Sequence, residues 1–99
     1  MHVGLALVEL HIPQSRSLKE KRAAVKPVVE GLRQRFSLSA AEVGYQDKWQ
    51  RSLLGFAVVS GTYAHAAEVM ATAERWLWSR PDIEVSSFAK SWSTFEGGD

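Results

Sequence analysis

The chain opens on a run whose two alternating sets of positions are both largely apolar. His2, Gly4, Ala6, Val8, Leu10 and Ile12 form one set, and Val3, Leu5, Leu7, Glu9 and His11 form the other. Successive side chains of a strand point to opposite faces, and a strand apolar on both faces belongs in the interior of a sheet. The pattern predicts a central strand over 2–12, ended by Pro13, with Gln14-Ser15-Arg16 as loop. The period then changes. Leu18, Val25, Val29, Leu32 and Phe36 fall on one stripe of a helix reaching about Phe36. Ser17-Leu18-Lys19-Glu20 reads as a capping box at its start, with the Ser17 hydroxyl accepting the Glu20 N–H and the Glu20 carboxylate accepting the Ser17 N–H. Pro27 lies opposite the stripe, so its broken bond to the Ala23 carbonyl predicts a kink that faces solvent.

Residues 38–46 and 50–60 read as two further strands, with Gln46-Asp47-Lys48-Trp49 at the turn. In the second of these, Leu54, Phe56 and Val58 share one face, and Leu53, Gly55, Ala57 and Val59 share the other. Thr62 is placed to cap a second helix running to about Ser79, which buries Ala66, Val69, Met70, Ala73, Trp76 and Leu77. Arg80 and Pro81 end it, residues 83–95 read as the last strand, and 96–99 as a frayed tail. The order β-α-β-β-α-β interlocks two right-handed β-α-β units. That is a single α+β domain over 1–99, a ferredoxin-like sandwich with strands in the order 4-1-3-2 and both helices on one face.

Helices on one face leave the other open. Turning Glu9 and His11 away from the core places Val3, Leu5 and Leu7 on the open side, beside Leu53, Gly55, Ala57 and Val59. Apolar patches of that size are rare on monomers, so Val3, Leu5, Leu7 and Leu53 are candidates for a homo-oligomer face. A single-strand RNA platform would instead put aromatics on the central strands. Here those positions are aliphatic or small, and Phe88 and Trp92 are expected on the open face of an edge strand.

Composition narrows the classes. With 99 residues the chain makes one core without staples, and with no cysteine it has no disulfide, thiolate or cysteine-based zinc chemistry. No basic leader precedes the first strand, and no run reaches membrane-spanning length, so the expectation is a cytoplasmic protein with no membrane role. The three histidines have no ligand spacing, and no carboxylate pair is forced together by local structure. Glu9, Glu42 and Asp47 are candidate acids or bases in principle, but neither a metal, a cofactor nor an enzyme activity is expected.

Net charge is only +1, yet residues 1–36 carry seven Lys/Arg against three Asp/Glu. Lys19, Arg22, Lys26 and Arg33 fall on one shoulder of the first helix, and Arg16 extends the row. The row reads either as a phosphate track or as a solvated face whose stems cover the core edge. The turn is also dense in chemistry. Gln46, Asp47, Trp49, Gln50 and Arg51 contain an indole and a guanidinium, which are typical recognition anchors. The alternative is structural, with Trp49 covering an end of the core and Asp47 paired to Arg51.

Leu10-His11-Ile12-Pro13, then Arg16-Ser17-Leu18-Lys19-Glu20-Lys21-Arg22, then Ala41-Glu42-Val43-Gly44, Gln46-Asp47 and Trp49-Gln50-Arg51 resemble, in that order, the YlxP-like family of small bacterial proteins of unknown function. The resemblance spans nearly the whole chain. It implies a ferredoxin-like fold and, through the family's gene neighbourhood near translation factors, a partner that is RNA or a ribosomal particle. It implies no catalytic residue. Pro27 departs from the family's unbroken helix, and Leu7 and Leu53 stand where the resemblance leads one to expect acidic side chains. The resulting expectation is a non-enzymatic binding protein. The alternative is an oligomeric scaffold or small-ligand-binding domain with no nucleic-acid role.

Overall fold

The computed structural model describes residues 1–97. The chain runs β1 (His2–His11), α1 (Leu18–Phe36), β2 (Ser39–Gly44), β3 (Arg51–Ser60), α2 (Tyr63–Trp78) and β4 (Glu84–Thr94). Of the expected tail, Glu96 and Gly97 are exposed beyond β4, and 98–99 lie outside the described residues. The four strands form one antiparallel sheet in the order β2-β3-β1-β4. β1 is paired along both edges, from His2↔Ser60 to His11↔Arg51 with β3, and from His2↔Thr94 to His11↔Glu84 with β4. This central place is what its two apolar faces require. Order, pairing and the two helices on one face make this a ferredoxin-like sandwich.

The core lies between sheet and helices. β1 contributes Ala6, Val8 and Leu10, β3 contributes Leu54, Phe56 and Val58, and α1 contributes Val25, Val28, Val29 and Leu32. From α2 come Ala66, Met70, Ala73 and Leu77, with Val69 and Trp76 half-buried against them. At Gly4 and Gly31 a tryptophan ring of the neighbouring element leaves no room for a side chain. A Cβ on Gly4 would stand 2.7 Å from the Trp92 ring, and one on Gly31 2.3 Å from the Trp76 ring.

Three expectations need correction. The first arm of the capping box forms, with Glu20 N–H donating to Ser17 Oγ at 3.1 Å. The return arm does not: the Glu20 carboxylate accepts the Arg16 N–H at 3.0 Å, one residue upstream of the Ser17 N–H. Second, the buried stripe of α1 also includes Val28 and Lys21, while Leu18 is only half-buried. Third, Phe88 and Trp92 face the helices, opposite Val8 and Gly4. A register shift between Val85 and Ser87 leaves Ser86 unpaired, and one extra residue exchanges the faces of everything after it. Pro27 sits exposed within an uninterrupted α1, on the side away from the core.

Candidate functional site

Lys21 occupies a core position of α1, four residues before Val25 and seven before Val28, and is fully buried. A buried ammonium is tolerated only when its donors are satisfied. Lys21 Nζ donates to the Tyr45 carbonyl at 2.7 Å and the Gln46 carbonyl at 3.2 Å, and pairs with Glu42 Oε2 at 3.1 Å. The same carboxylate oxygen accepts the hydroxyl of buried Ser52. Tyr45 has a left-handed backbone (φ 55°), a conformation that costs a non-glycine residue about 1–2 kcal/mol. Its carbonyl is held by Lys21, and the Arg51 guanidinium lies 4.0 Å over its ring.

A second set of bonds fixes the other arm of the turn. The Ile12 N–H donates to the Gln50 carbonyl at 2.8 Å, and Gln50 Nε2 donates to the Pro13 and Ser15 carbonyls, both at 3.1 Å. The 45–50 hairpin is thus joined to the 12–15 loop and to the first turn of α1. The two clusters that the sequence shows 24 and more residues apart meet at one end of the molecule.

Trp49 is 57% exposed, so it does not act as a lid on the core. Gln46 and Asp47 are exposed beside it. Gln50 is spent on the loop carbonyls, and Arg51 pairs with Glu9 at 3.2 Å rather than with Asp47. Of the basic row, Arg16, Lys19, Arg22 and Lys26 are exposed, and none has a carboxylate partner among the described residues. Arg33 leaves the row, because its Nε donates to the Ala40 carbonyl of β2 at 2.9 Å. On the other flank of the α1 start lies a cleft of about 470 Å³ lined by Glu20, Asp82 and Glu84. Its acidity bounds the basic surface.

The open sheet face is ordered in rows across the strands. Val3 lies beside Val59 and Ser93, Leu5 beside Ala57 and Ser91, and Leu7 beside Gly55 and Ala89. Next come Glu9 beside Leu53 and Ser87, then His11 beside Arg51 and Glu84. Leu5 (48%), Leu7 (46%), Val43 (52%) and Val59 (62%) are exposed, while Val3 and Leu53 are half-buried. The charged end is internally paired, Arg51 with Glu9 and His11 Nδ1 with Glu84 at 3.2 Å.

A model of a family described as a protein of unknown function, DUF503, matches residues 3–90. The chain belongs to the DUF503 family. A relative in that setting is the uncharacterized protein YlxP of Bacillus subtilis (strain 168), 34% identical over 90 residues, covering 91% of this chain and 98% of YlxP. A solution structure of a de novo designed protein with a ferredoxin fold aligns with a TM-score of 0.47 at 14% identity, over 100% of this chain and 90% of that one. Within the DUF503 chain, the residues that build the site and that sequence reasoning missed are Lys21, Ser52 and Tyr45. Lys21 had a legible signal, a lysine at a stripe position. Ser52 had one too, a hydroxyl in the inward set of β3. The left-handed turn at Tyr45 had none.

Proposed function

We propose that this DUF503 protein is a non-enzymatic cytoplasmic protein that binds RNA, free or within a ribosomal particle, through the end where the hairpin meets α1. The observation that carries this reading is an exposed indole, Trp49, on a hairpin pinned by Lys21 and Gln50 to the end that bears Arg16, Lys19 and Arg22. Unpaired cations hold phosphates without sequence preference, and an exposed indole can stack on any base. A rigid turn presents both without an ordering cost at the moment of binding.

The test is titration with structured and single-stranded RNA at several salt concentrations. Binding should fall with salt, and Gln at Lys19, Arg22 and Lys26 together should flatten the slope by about 2 units, at about 0.7 per phosphate contact. Trp49→Ala should cost about 1–3 kcal/mol of affinity and leave the slope alone. Wild-type binding no tighter than about 10⁻⁴ M at physiological salt would remove the RNA reading.

Self-association through the open sheet face is the second part of the proposal. It is favoured by the adjoining exposure of Leu5, Leu7, Val43 and Val59. Light scattering at micromolar concentration tests it directly.

A further inference from the structure

The rows of the open face also say how a second copy sits. We infer that two copies pack open face to open face about a two-fold axis that runs parallel to the strands, along the midline between β1 and β3. This rests on the self-association reading and is independent of RNA binding.

Two identical sheets in aligned face-to-face contact have two choices of two-fold axis in the contact plane, along the strands or across them. Across the strands, the first row of one copy meets the last row of the other. Val3 and Val59 would then cover His11, Arg51 and Glu84, taking ionic side chains out of water against aliphatic ones. Along the strands each row meets itself, so the Val3, Leu5 and Leu7 rows meet apolar rows, and the Glu9 and His11 rows with their paired charges stay together at the rim.

The position of the axis follows from side-chain size. β1 carries the large residues Leu5 and Leu7, and β3 carries Ala57 and Gly55 directly beside them. An axis between these two strands seats Leu5 and Leu7 of one copy over Ala57 and Gly55 of the other, the large-on-small alternation that packed layers need, and Leu53 over the stem of Glu9. That line is also the middle of the β2-β3-β1-β4 sheet, so the overlap is greatest there. Gly55 agrees with this. A Cβ there would meet only ordinary contacts, Val43 at 3.4 Å being the nearest, and its φ is not in the left-handed region. Nothing within one copy demands a glycine at 55, whereas a leucine arriving from the open side does.

The area suffices. Three strands of about ten residues and the short β2, at roughly 3.3 Å per residue and 4.8 Å between strands, give about 550 Å² a side. Two such sides reach about the 1,000 Å² expected of a specific interface. On β4 the facing residues Ser93, Ser91, Ala89 and Ser87 are small, and Glu84 lies at the rim with the paired charges.

The axis has a consequence that can be measured: both hairpins lie at the same end of the dimer. Because the chain has no cysteine, Lys48→Cys puts a single spin label on each hairpin. The expected result is a dimer by sedimentation, with label separations far below the 51 Å longest dimension of one protomer. Gly55→Leu should give a folded monomer with an unchanged circular dichroism spectrum. Should that variant not fold, Leu7→Glu, at an exposed side chain, replaces it. A dimer whose labels stand apart by the length of a ten-residue strand, about 33 Å, or more overturns the axis and leaves self-association standing. A dimer that survives both Gly55→Leu and Leu7→Glu overturns the contact face. A wild-type monomer at micromolar concentration overturns both this inference and the reading beneath it.

Discussion

Lys21→Met removes a fully buried charge while nearly keeping its volume. Glu42 is then left without its cation, its side chain only 21% exposed, and the Tyr45 and Gln46 carbonyls lose a donor. Breaking a buried pair from one side costs about 3–5 kcal/mol, and the partial exposure of Glu42 argues for the lower end, about 3 kcal/mol. For a domain of this size that is roughly a 12–24 °C fall in Tm. Replacing both partners, as in Lys21→Met with Glu42→Leu, removes the stranded carboxylate as well, and should recover a large part of the loss. Urea melts of wild type, both single variants and the double variant close the cycle. The reasoning predicts a coupling of well over 1 kcal/mol with an unchanged m-value. A single-variant loss below about 0.5 kcal/mol, or additive losses, would mean that Lys21 is hydrated and does not hold the hairpin.

Gly31→Ala should destabilise the fold, although alanine is better than glycine by about 1 kcal/mol in an open helix, because its Cβ would sit 2.3 Å from the Trp76 ring. A rise in Tm would show that α1 and α2 are not in close contact there. Ser17→Ala should cost about 1 kcal/mol through the lost cap, and Leu32→Ala, fully buried under α1, about 2–5 kcal/mol; equal losses in urea would contradict these assignments. Arg33→Gln should lower stability through its Ala40 contact yet leave the salt slope of RNA binding unchanged. A flattened slope would return Arg33 to the phosphate row.

The strand order was legible because both alternating sets of β1 and β3 are apolar, and only a central position accommodates that. Helix ends were legible because Ser17 and Thr62 carry the side chains that caps require. The faces of β4 were not, since an unpaired Ser86 leaves no mark in the hydrophobic pattern and reverses the parity behind it. For the site, Lys21 went unread because a charged side chain does not register in a hydrophobic stripe even where its position lies on one. Arg33 looked like its exposed neighbours because a bond to the Ala40 carbonyl is a property of the folded pair, not of the helix. The meeting of residues 12–22 with 45–50 depends on side-chain-to-carbonyl bonds, which sequence spacing does not encode.

The pairing of β1 with β4 joins the two sequence-distant edges of the fold, and the Phe95 N–H extends it by donating to the Met1 carbonyl at 2.9 Å. During synthesis β1 therefore precedes its partner β4 by the length of chain between them. At roughly 5–20 residues per second, about 4–15 s separate the appearance of β1 from that of its partner β4. Throughout that interval the β4 edge of β1 is unpaired, and until β3 is made so is the other, which makes the growing chain, more than the finished fold, the form with an open apolar edge.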